Sequence, residues 1–333
     1  MTVRIGVAGV GRIGRMHAGI IARETPGATL AGVFDVYADG AAQVAAEFQV
    51  PSMSLEEMLE SPEVDAIAIC SSTDTHVSLI QRAAAAGKAI FCEKPISLDL
   101  AEVDKALSAV DQAGVPFMVG FNRRFDPSHA AVQRAVADGE VGEPHLARIS
   151  SRDPAPPPIE YIKVSGGIFV DMTIHDFDMA RFVVGSPVVS VYAVGAVRID
   201  PAIGEAGDLD TAVITLTHAD GVITTIDNSR QAVYGYDQRL EVFGSAGMAV
   251  SENPNAHTAV VFTANERHGA NLPYFFLERY MDSYRREWAA FVAYVANGGP
   301  SPVSGADGRA PVAIGLAAWE SIRTGLPVSV DQG

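Results

Sequence analysis

Hydrophobic and polar positions in the first 120 residues repeat with two different periods. Short apolar runs with the length of buried strands lie near residues 3–8, 29–34, 65–70, 89–92 and 116–119. Apolar residues with helical spacing lie between them, near residues 12–24, 38–48, 75–87 and 99–113. This alternation of strand and helix predicts a doubly wound parallel sheet, an α/β domain of the Rossmann type.

The pattern changes after Gly120. We expect a helix near 126–137, a strand from His145, and a loop at the proline-rich run Pro154–Pro158. Apolar alternation between Val188 and Phe262 predicts an open, mostly antiparallel sheet, and two helices, Phe276 to Ala296 and Asp307 to Thr324, complete the chain. The expected domains are therefore 1–120, which binds a dinucleotide, and 121–333, which binds substrate and forms the oligomer, with the C-terminal helix packing back on the first domain.

A glycine motif follows the first predicted strand directly. The motif is Gly9-Val10-Gly11-Arg12-Ile13-Gly14. In such a loop Gly9 permits the tight turn, Gly11 lets the backbone approach a pyrophosphate, and Gly14 lets the next helix pack on the strand. Because strand, loop and helix occur in the required order, the motif predicts a dinucleotide site rather than an ordinary glycine-rich turn.

An acidic residue at the end of the second strand indicates which dinucleotide binds. Asp35 lies about 20 residues after Gly14, where a carboxylate accepts the ribose hydroxyls of NAD and repels the 2′-phosphate of NADP. NAD is therefore the expected cofactor. Arg12 leaves an alternative open, because a guanidinium in the phosphate loop could also attract a 2′-phosphate.

Two further strand ends carry polar side chains toward the edge where parallel sheets bind ligands. The strand at 89–92 ends in Glu93-Lys94-Pro95, and the proline stiffens a turn that could aim the Lys94 ammonium into the site. The strand at 65–70 is followed by Ser71, Thr73 and His76, which we assign to cofactor binding together with Ile13 and Glu93. A solvated lysine and a surface histidine are the plain alternatives.

The segment Gly167–Asp178 carries the main candidate for chemistry. Asp171 and His175 are four residues apart in a helix-compatible run, a spacing that stacks both side chains on one helix face. A carboxylate next to an imidazole orients the ring and favours its protonated form, as a base that takes a hydroxyl proton requires. Asp178 completes a ligand-like spacing, but with no second His or Cys cluster we expect no metal.

Composition limits the class of partner. The net charge of −16 and the pI near 4.8 disfavour nucleic acid and anionic membranes as partners. The apolar runs are shorter than a membrane span, and the chain starts with a strand rather than a signal peptide, so we expect a cytoplasmic protein. Cys70 and Cys92 fall in predicted buried strands and are expected to be free thiols.

Together the motifs resemble the glucose-fructose oxidoreductase, inositol dehydrogenase and rhizopine catabolism (Gfo/Idh/MocA) superfamily over the whole chain. The resemblance rests on the glycine motif, Glu93-Lys94-Pro95 and Gly167 through Asp176. Four other stretches are similar to the inositol 2-dehydrogenases within that superfamily: Gly120–Pro127, Ser151–Pro154, Met172–Phe182 and Tyr234–Arg239.

The resemblance implies NAD as hydride acceptor, a homotetramer formed through the C-terminal sheet, and a catalytic group of Lys94, Asp171 and His175. It implies oxidation of the C2 hydroxyl of myo-inositol to 2-inosose, a step of inositol catabolism. His175 would take the hydroxyl proton, Asp171 would stabilise the imidazolium, and Lys94 would donate to the oxygen. Arg124, Asp153 and Tyr236 are the candidates for binding the other hydroxyls of the polyol.

Two alternatives remain open at this point. One is a dehydrogenase for another inositol isomer or for a glucose-like pyranose, since these substrates also present rings of hydroxyl groups. The other is a non-catalytic NAD-binding sensor, which the presence of Lys94, Asp171 and His175 argues against.

Overall fold

The computed structural model describes residues 2–333, which form two compact units. The first unit contains the chain up to Asn122 together with Asp282–Val312, and the second contains Arg123–Met281 and Ala313–Gly333. No helix within residues 2–333 is both long enough and apolar enough to cross a bilayer.

The first unit is built on a five-stranded parallel sheet with the strand order β2-β1-β3-β4-β5. Its strands are β1 (Val3–Ala8), β2 (Ala28–Phe34), β3 (Ala66–Ile69), β4 (Ala89–Glu93) and β5 (Phe117–Gly120). Its helices are α1 (Arg12–Arg23), α2 (Ala38–Phe48), α3 (Leu55–Glu60), α4 (Thr73–Ala85) and α5 (Leu100–Ala113). The strand order reverses between β1 and β3, which is where doubly wound sheets bind their ligands.

Local sequence signals explain the ends of these helices. The Asp99 carboxylate accepts a hydrogen bond from the Ala101 N–H at 2.8 Å and so caps the start of α5, which ends at Gly114 in the left-handed conformation. Ser54 and Glu57 form a reciprocal capping box at the start of α3. The central strands β3 and β4 are apolar and buried almost throughout, as expected for a sheet with helices on both faces.

The second unit is built on a seven-stranded sheet with the order β11-β10-β6-β9-β8-β7-β14. Its strands are β6 (Pro144–Arg152), β7 (Val188–Ala196), β8 (Thr211–His218), β9 (Ile223–Ser229), β10 (Asp237–Gly244), β11 (Met248–Ser251) and β14 (Val328–Ser329), with a separate hairpin of β12 (Val260–Phe262) and β13 (Arg267–Gly269). Within this sheet β6 and β9 run parallel and the other neighbours are antiparallel.

The helices of the second unit lie mainly between β5 and β8 in sequence. They are α6 (Pro127–Ala137), α7 (Ile159–Ile162), α8 (Gly167–Asp171), α9 (Ile174–Val184) and α10 (Pro201–Glu205). The long helices α11 (Phe276–Asn297) and α12 (Gly305–Thr324) each begin in one unit and end in the other.

The two faces of the seven-stranded sheet differ. One face buries residues such as Ile149, Ile214 and Ile226. The opposite face leaves large apolar side chains exposed, among them Leu146, Ile223 and Phe243, which are neighbours across β6, β9 and β10. We call this second surface the open face.

The expected fold class is confirmed: a Rossmann-type parallel sheet is followed by an open, mostly antiparallel sheet. The strands and long helices lie where the pattern predicts them. The helices α3 and α10 and the short strand β14 carry too few periodic residues to be recognised from the sequence.

One expectation about local structure is wrong. Asp171 and His175 do not share one regular helix, because α8 ends at Asp171 and α9 begins at Ile174. The Thr173 N–H donates to the Ile168 carbonyl, five residues back, so this turn is wider than an α-helical turn. The single regular helix that the spacing predicted is therefore interrupted between the two residues.

Candidate active site

The glycine loop joins β1 to α1 at the carboxyl edge of the parallel sheet. Gly9 has φ +91°, and a Cβ there would lie 2.5 Å from the Ser71 backbone. A Cβ at Gly14 would overlap the Gly9 carbonyl oxygen. A Cβ at Gly11 would meet no atom of the described residues within 4 Å, so their packing does not require that glycine. Gly11 fits instead the expected approach of a pyrophosphate to the backbone.

The start of α1 fits an anion. Gly11 is the N-cap, no side chain of the described residues caps the helix, and the first turn contains no acidic residue. Arg12, Ile13 and Gly14 therefore lie at a helix N-terminus whose N–H groups and dipole favour a phosphate.

Asp35 lies beside the loop, as expected for a residue that binds the adenosine ribose. Its carboxylate accepts hydrogen bonds from the Val10 N–H at 2.8 Å and the Tyr37 N–H at 2.9 Å. Each oxygen keeps a second lone pair, so these two bonds leave acceptor capacity for ribose hydroxyls.

His76 connects the turns that follow β3 and β4. It is buried on α4, with Nδ1 2.8 Å from the Pro95 carbonyl oxygen and Nε2 3.1 Å from the Ser71 carbonyl oxygen. Burial lowers the pKa of the ring, and a neutral imidazole has one N–H to donate to these two acceptors. His76 thus holds the backbone around Pro95 and Ser71. Thr73 is the first residue of α4. The hydroxyl groups of Ser71 and Thr75 form a hydrogen bond of 2.6 Å.

Glu93 is held by two residues that the sequence analysis did not assign to the site. His17 Nε2 lies 2.7 Å from Glu93 Oε1, and the Trp288 indole N–H donates to His17 Nδ1 at 2.8 Å. Because an indole N–H can only donate, Nδ1 must be the acceptor, and Nε2 therefore carries the proton that is donated to Glu93. Both His17 and Trp288 are fully buried, so this chain of hydrogen bonds is fixed.

A second carboxyl group lies close to Glu93. Glu287 on α11 is fully buried, and neither of its carboxyl oxygens has a hydrogen-bond partner within residues 2–333. Burial, together with the nearby Glu93 charge, raises its pKa well above the ordinary value. The uncharged form of the Glu287 carboxyl is therefore favoured.

In the second unit, Asp171 is held by side chains from two other segments. The Tyr161 hydroxyl on α7 donates to Asp171 Oδ1 at 2.8 Å. Arg230, which follows β9 and is 1% exposed, donates from Nη1 to Asp171 Oδ2 at 3.3 Å. Tyr161 and Arg230 thus reach the Asp171 carboxylate from two different segments of the second unit.

Asp153 belongs to the same charged cluster. Burial raises the pKa of its carboxyl to about 6, the Arg123 charge opposes this shift, and the Asp171 charge adds to it. Arg123 is itself buried and donates to Asp176 at 2.8 Å and to the Tyr236 hydroxyl at 3.3 Å. The predicted substrate residues Asp153 and Tyr236 thus both lie near Arg123, and Asp153 also lies near Asp171.

Arg124, the third predicted substrate residue, has a buried partner. Its guanidinium donates to both oxygens of Asp178, at 2.6 and 2.9 Å, in a bidentate ion pair. Asp178, a buried residue of α9, is therefore the ion-pair partner of Arg124. The position of Arg124 is set by α9.

The arrangement as a whole separates two kinds of chemistry. The first unit gathers Gly9–Gly14, Asp35, Ser71, His76 and Glu93 at the carboxyl edge of its sheet, with Lys94 in the next position along the chain. The second unit gathers carboxylates, guanidinium groups and tyrosine hydroxyls near Asp171, with His175 at the start of α9. Such a fold and such sites are those of a nicotinamide-dependent oxidoreductase that acts on a polar substrate.

Comparison with known proteins gives the family. A model described as an oxidoreductase family with an NAD-binding Rossmann fold matches residues 3–121, and the GFO/IDH/MocA C-terminal domain matches residues 129–250. The chain belongs to the GFO/IDH/MocA oxidoreductase family, and its first unit contains the NAD-binding domain.

Three relatives illustrate the similarity. A myo-inositol 2-dehydrogenase of Thermotoga maritima is 46% identical over 99% of both chains. The crystal structure of a myo-inositol dehydrogenase from Corynebacterium glutamicum has a TM-score of 0.94 at 41% identity and covers 100% of both chains. A scyllo-inositol dehydrogenase from Lactobacillus casei, solved with NAD(H) and scyllo-inositol, has a TM-score of 0.92 at 29% identity and covers 99% of both chains.

Proposed function

We propose that this protein is an NAD-dependent inositol 2-dehydrogenase that oxidises the C2 hydroxyl of myo-inositol to 2-inosose. The observation that carries the proposal is the charged, hydrogen-bonding cluster around Asp171, which suits a ring of hydroxyl groups. The near full-length similarity to a myo-inositol 2-dehydrogenase at 46% identity supports the same substrate class.

NAD supplies the hydride acceptor when it is bound. The chain's own residues hold it: the α1 N-terminus and Gly11 face the pyrophosphate, and Asp35 accepts the ribose hydroxyls. Arg12, Ser71, Thr73, His76 and Glu93 are the further residues assigned to the cofactor, with His76 acting through the backbone that it holds.

The proton chemistry falls to three side chains. His175 accepts the proton of the C2 hydroxyl as the C2 hydride leaves. Asp171 stabilises the imidazolium that forms, and Lys94 donates a hydrogen bond to the oxygen while negative charge develops on it. Loss of a donor of this kind costs about 3–4 kcal/mol in other enzymes. Arg124, Asp153 and Tyr236 bind the remaining hydroxyl groups.

A substrate panel tests the reaction. We expect NADH formation with the highest kcat/KM for myo-inositol in a series that also contains scyllo-inositol, D-chiro-inositol and glucose. Preference for scyllo-inositol or glucose would favour a dehydrogenase of another polyol. No NADH formation with any polyol would favour the NAD-binding sensor.

Replacement of His175 tests the assignment of the base. His175→Ala should lower kcat by roughly 10²–10⁴ while NAD binding stays nearly unchanged, because the ring acts on the substrate proton. His268→Ala, which removes a half-exposed imidazole from the β12–β13 hairpin, is the matched control and should leave kcat unchanged. Equal kcat in the two variants would contradict the role of His175.

The oligomer and the location also belong to the proposal. We propose a cytoplasmic homotetramer that assembles through the open face of the seven-stranded sheet and acts in inositol catabolism. The exposed apolar side chains of that face support an interface between copies of the chain.

A further inference from the structure

We infer that His17 and Trp288 are positioning residues for the cofactor: they hold the Glu93 carboxylate so that it accepts a hydrogen bond from the nicotinamide ribose of NAD. The inference rests on the proposed function, in which Glu93 binds the cofactor. It gives a role to two fully buried side chains that take no part in the proton chemistry. All three residues belong to the first unit, which contains the NAD-binding domain.

The place of Glu93 in the sheet indicates which half of the cofactor it meets. A doubly wound sheet binds the two halves of a dinucleotide on either side of the point where the strand order reverses. Asp35 follows β2, on one side of that point, and is the residue expected to bind the adenosine ribose. Glu93 ends β4, on the other side, so its carboxylate lies at the edge that receives the nicotinamide nucleoside.

The protein holds only one oxygen of Glu93. His17 Nε2 donates to Oε1 at 2.7 Å, and the Glu93 side chain stays 14% exposed. Within residues 2–333 no group donates to Oε2, and this oxygen is not fully buried. Because a carboxylate accepts hydrogen bonds and a ribose hydroxyl donates them, Oε2 is the oxygen that can bind the ribose.

The direction of the hydrogen bond to Glu93 depends on Trp288. Its indole N–H donates to His17 Nδ1 at 2.8 Å, and this bond requires the tautomer with the proton on Nε2. In the other tautomer, Nε2 would turn a lone pair toward the carboxylate and repel it. Trp288 therefore selects the tautomer of His17 that donates to Glu93.

Neighbouring rings and one glycine restrict the movement of these groups. The His17 ring lies edge-on to Phe91 and Trp288, with ring centroids 5.5 Å apart in both pairs. Gly120 on β5 is paired with Glu93, and a Cβ there would lie 3.3 Å from Glu93 Oε1 and 3.0 Å from Phe91. The carboxylate thus lies between β5 and His17, and this packing limits its rotation.

Binding of NAD and of ADP to the full chain, measured by isothermal titration calorimetry, tests the inference. ADP contains the adenosine half of NAD but not the nicotinamide ribose, so it reports on the Asp35 side of the site alone. Trp288→Phe keeps an aromatic ring and removes the N–H donor. We expect this variant to weaken NAD binding by roughly three- to tenfold, as for one lost hydrogen bond, and to leave ADP binding unchanged.

A double-mutant cycle distinguishes positioning of Glu93 from a general loosening of the domain. His17→Leu removes the donor and should weaken NAD binding by roughly tenfold. His17→Gln, whose amide can donate from a similar position, should recover most of that loss. In a Glu93→Ala background, neither Trp288→Phe nor His17→Leu should weaken NAD binding further, because the carboxylate on which they act is gone.

Trp319→Phe is the matched control. Trp319 is the other tryptophan of the chain, and its indole N–H also donates within the protein, to the Gly166 carbonyl oxygen at 3.2 Å. Both residues belong to the second unit. We expect this variant to bind NAD and ADP as the wild type does, since it removes the same donor group without altering the partners of Glu93.

The outcomes separate the inference from the function on which it rests. Wild-type NAD affinity in both Trp288→Phe and His17→Leu would overturn the inference and, if Glu93→Ala binds NAD weakly, would keep Glu93 as a cofactor residue. Wild-type NAD affinity in Glu93→Ala would overturn both assignments, whereas oxidation of inositol is tested independently by the substrate panel.

Two further results would also overturn the inference. One is an equal loss of NAD and ADP affinity in Trp288→Phe, and the other is the same loss of NAD affinity with and without the Glu93 carboxylate. If Trp288→Phe does not fold, the comparison of His17→Leu with His17→Gln decides, because these variants leave Trp288 in place.

Discussion

At the scale of single residues, Asp153 is the side chain whose charge state is set most clearly by its surroundings. Burial raises the pKa of its carboxyl to about 6, against about 3.9 for the group in an unfolded chain. Asp153 therefore changes charge just below neutral pH. A carboxyl group with this property can donate a hydrogen bond to a substrate hydroxyl in mildly acidic solution and accept one at higher pH.

Asp153→Asn should reveal this shift as a change in stability. Because the folded state holds the proton more tightly, the wild-type protein loses stability as the pH rises from about 4 to about 6, and the loss remains above pH 6. The amide cannot ionise, so the Tm of the variant relative to wild type should increase across that window. Thermal unfolding followed at several pH values measures the difference, and a difference independent of pH would contradict the shift.

The contacts of single residues also show what the sequence alone does not predict. Asp171 and His175 are recognisable because they lie in one short motif. The partners of Asp171 are not, since Tyr161 comes from a helix of four residues and Arg230 follows a strand 59 positions later. His17 likewise has no distinctive local sequence pattern. The fold brings Trp288, 271 positions away in the sequence, into hydrogen-bonding contact with its ring. Such contacts depend on the tertiary structure and leave no local periodicity.

At the scale of elements, the β1–loop–α1 segment was predicted almost completely. Each part of this segment has a local cause. The strand follows from a continuous apolar run. The loop needs glycine because Gly9 has a positive φ and because α1 approaches the loop closely at Gly14. The turn between α8 and α9 was not predicted, because the backbone stays helical while one hydrogen bond reaches back five residues. The sequence pattern of a widened turn differs little from that of a regular helix.

Two glycines of the loop should respond differently to alanine. Gly14→Ala should destabilise the protein strongly, since its methyl group would overlap the Gly9 carbonyl oxygen. Gly11→Ala should leave the Tm nearly unchanged, because Gly11 has φ −60° and its Cβ would meet no atom of residues 2–333 within 4 Å. It should nevertheless weaken NAD binding by roughly tenfold or more, as the methyl group occupies the space where the pyrophosphate meets the backbone.

Calorimetry and NAD titration of the two variants separate the roles of these glycines. Wild-type NAD affinity in Gly11→Ala would show that the pyrophosphate does not approach this position. A large fall in Tm for Gly11→Ala would mean that the glycine serves the fold instead.

At the scale of the whole molecule, the open face exposes large apolar side chains that contacts within one chain do not cover. Cross-strand neighbours Val194 and Val213 are 48% and 50% exposed, and Leu146, Ile223 and Phe243 form a second exposed apolar group across β6, β9 and β10. Exposed apolar groups on one face of a sheet are typical of a surface that meets a partner. The net charge of −16 makes association through charged surfaces unfavourable, which leaves an apolar face as the better interface.

Val213→Glu tests whether this face joins the subunits. Val213 lies on the open face between Val194 and Asp227, and a carboxylate buried there beside the Asp227 carboxylate would cost several kcal/mol at each copy of the interface. Light scattering coupled to size exclusion should find four 35.1 kDa chains in the wild-type particle and fewer in the variant. Val164→Glu places the same charge at a side chain that is 70% exposed outside the sheet, and it should leave the mass unchanged. A tetramer that survives Val213→Glu would mean that the subunits meet elsewhere, and the apolar open face would then need another partner.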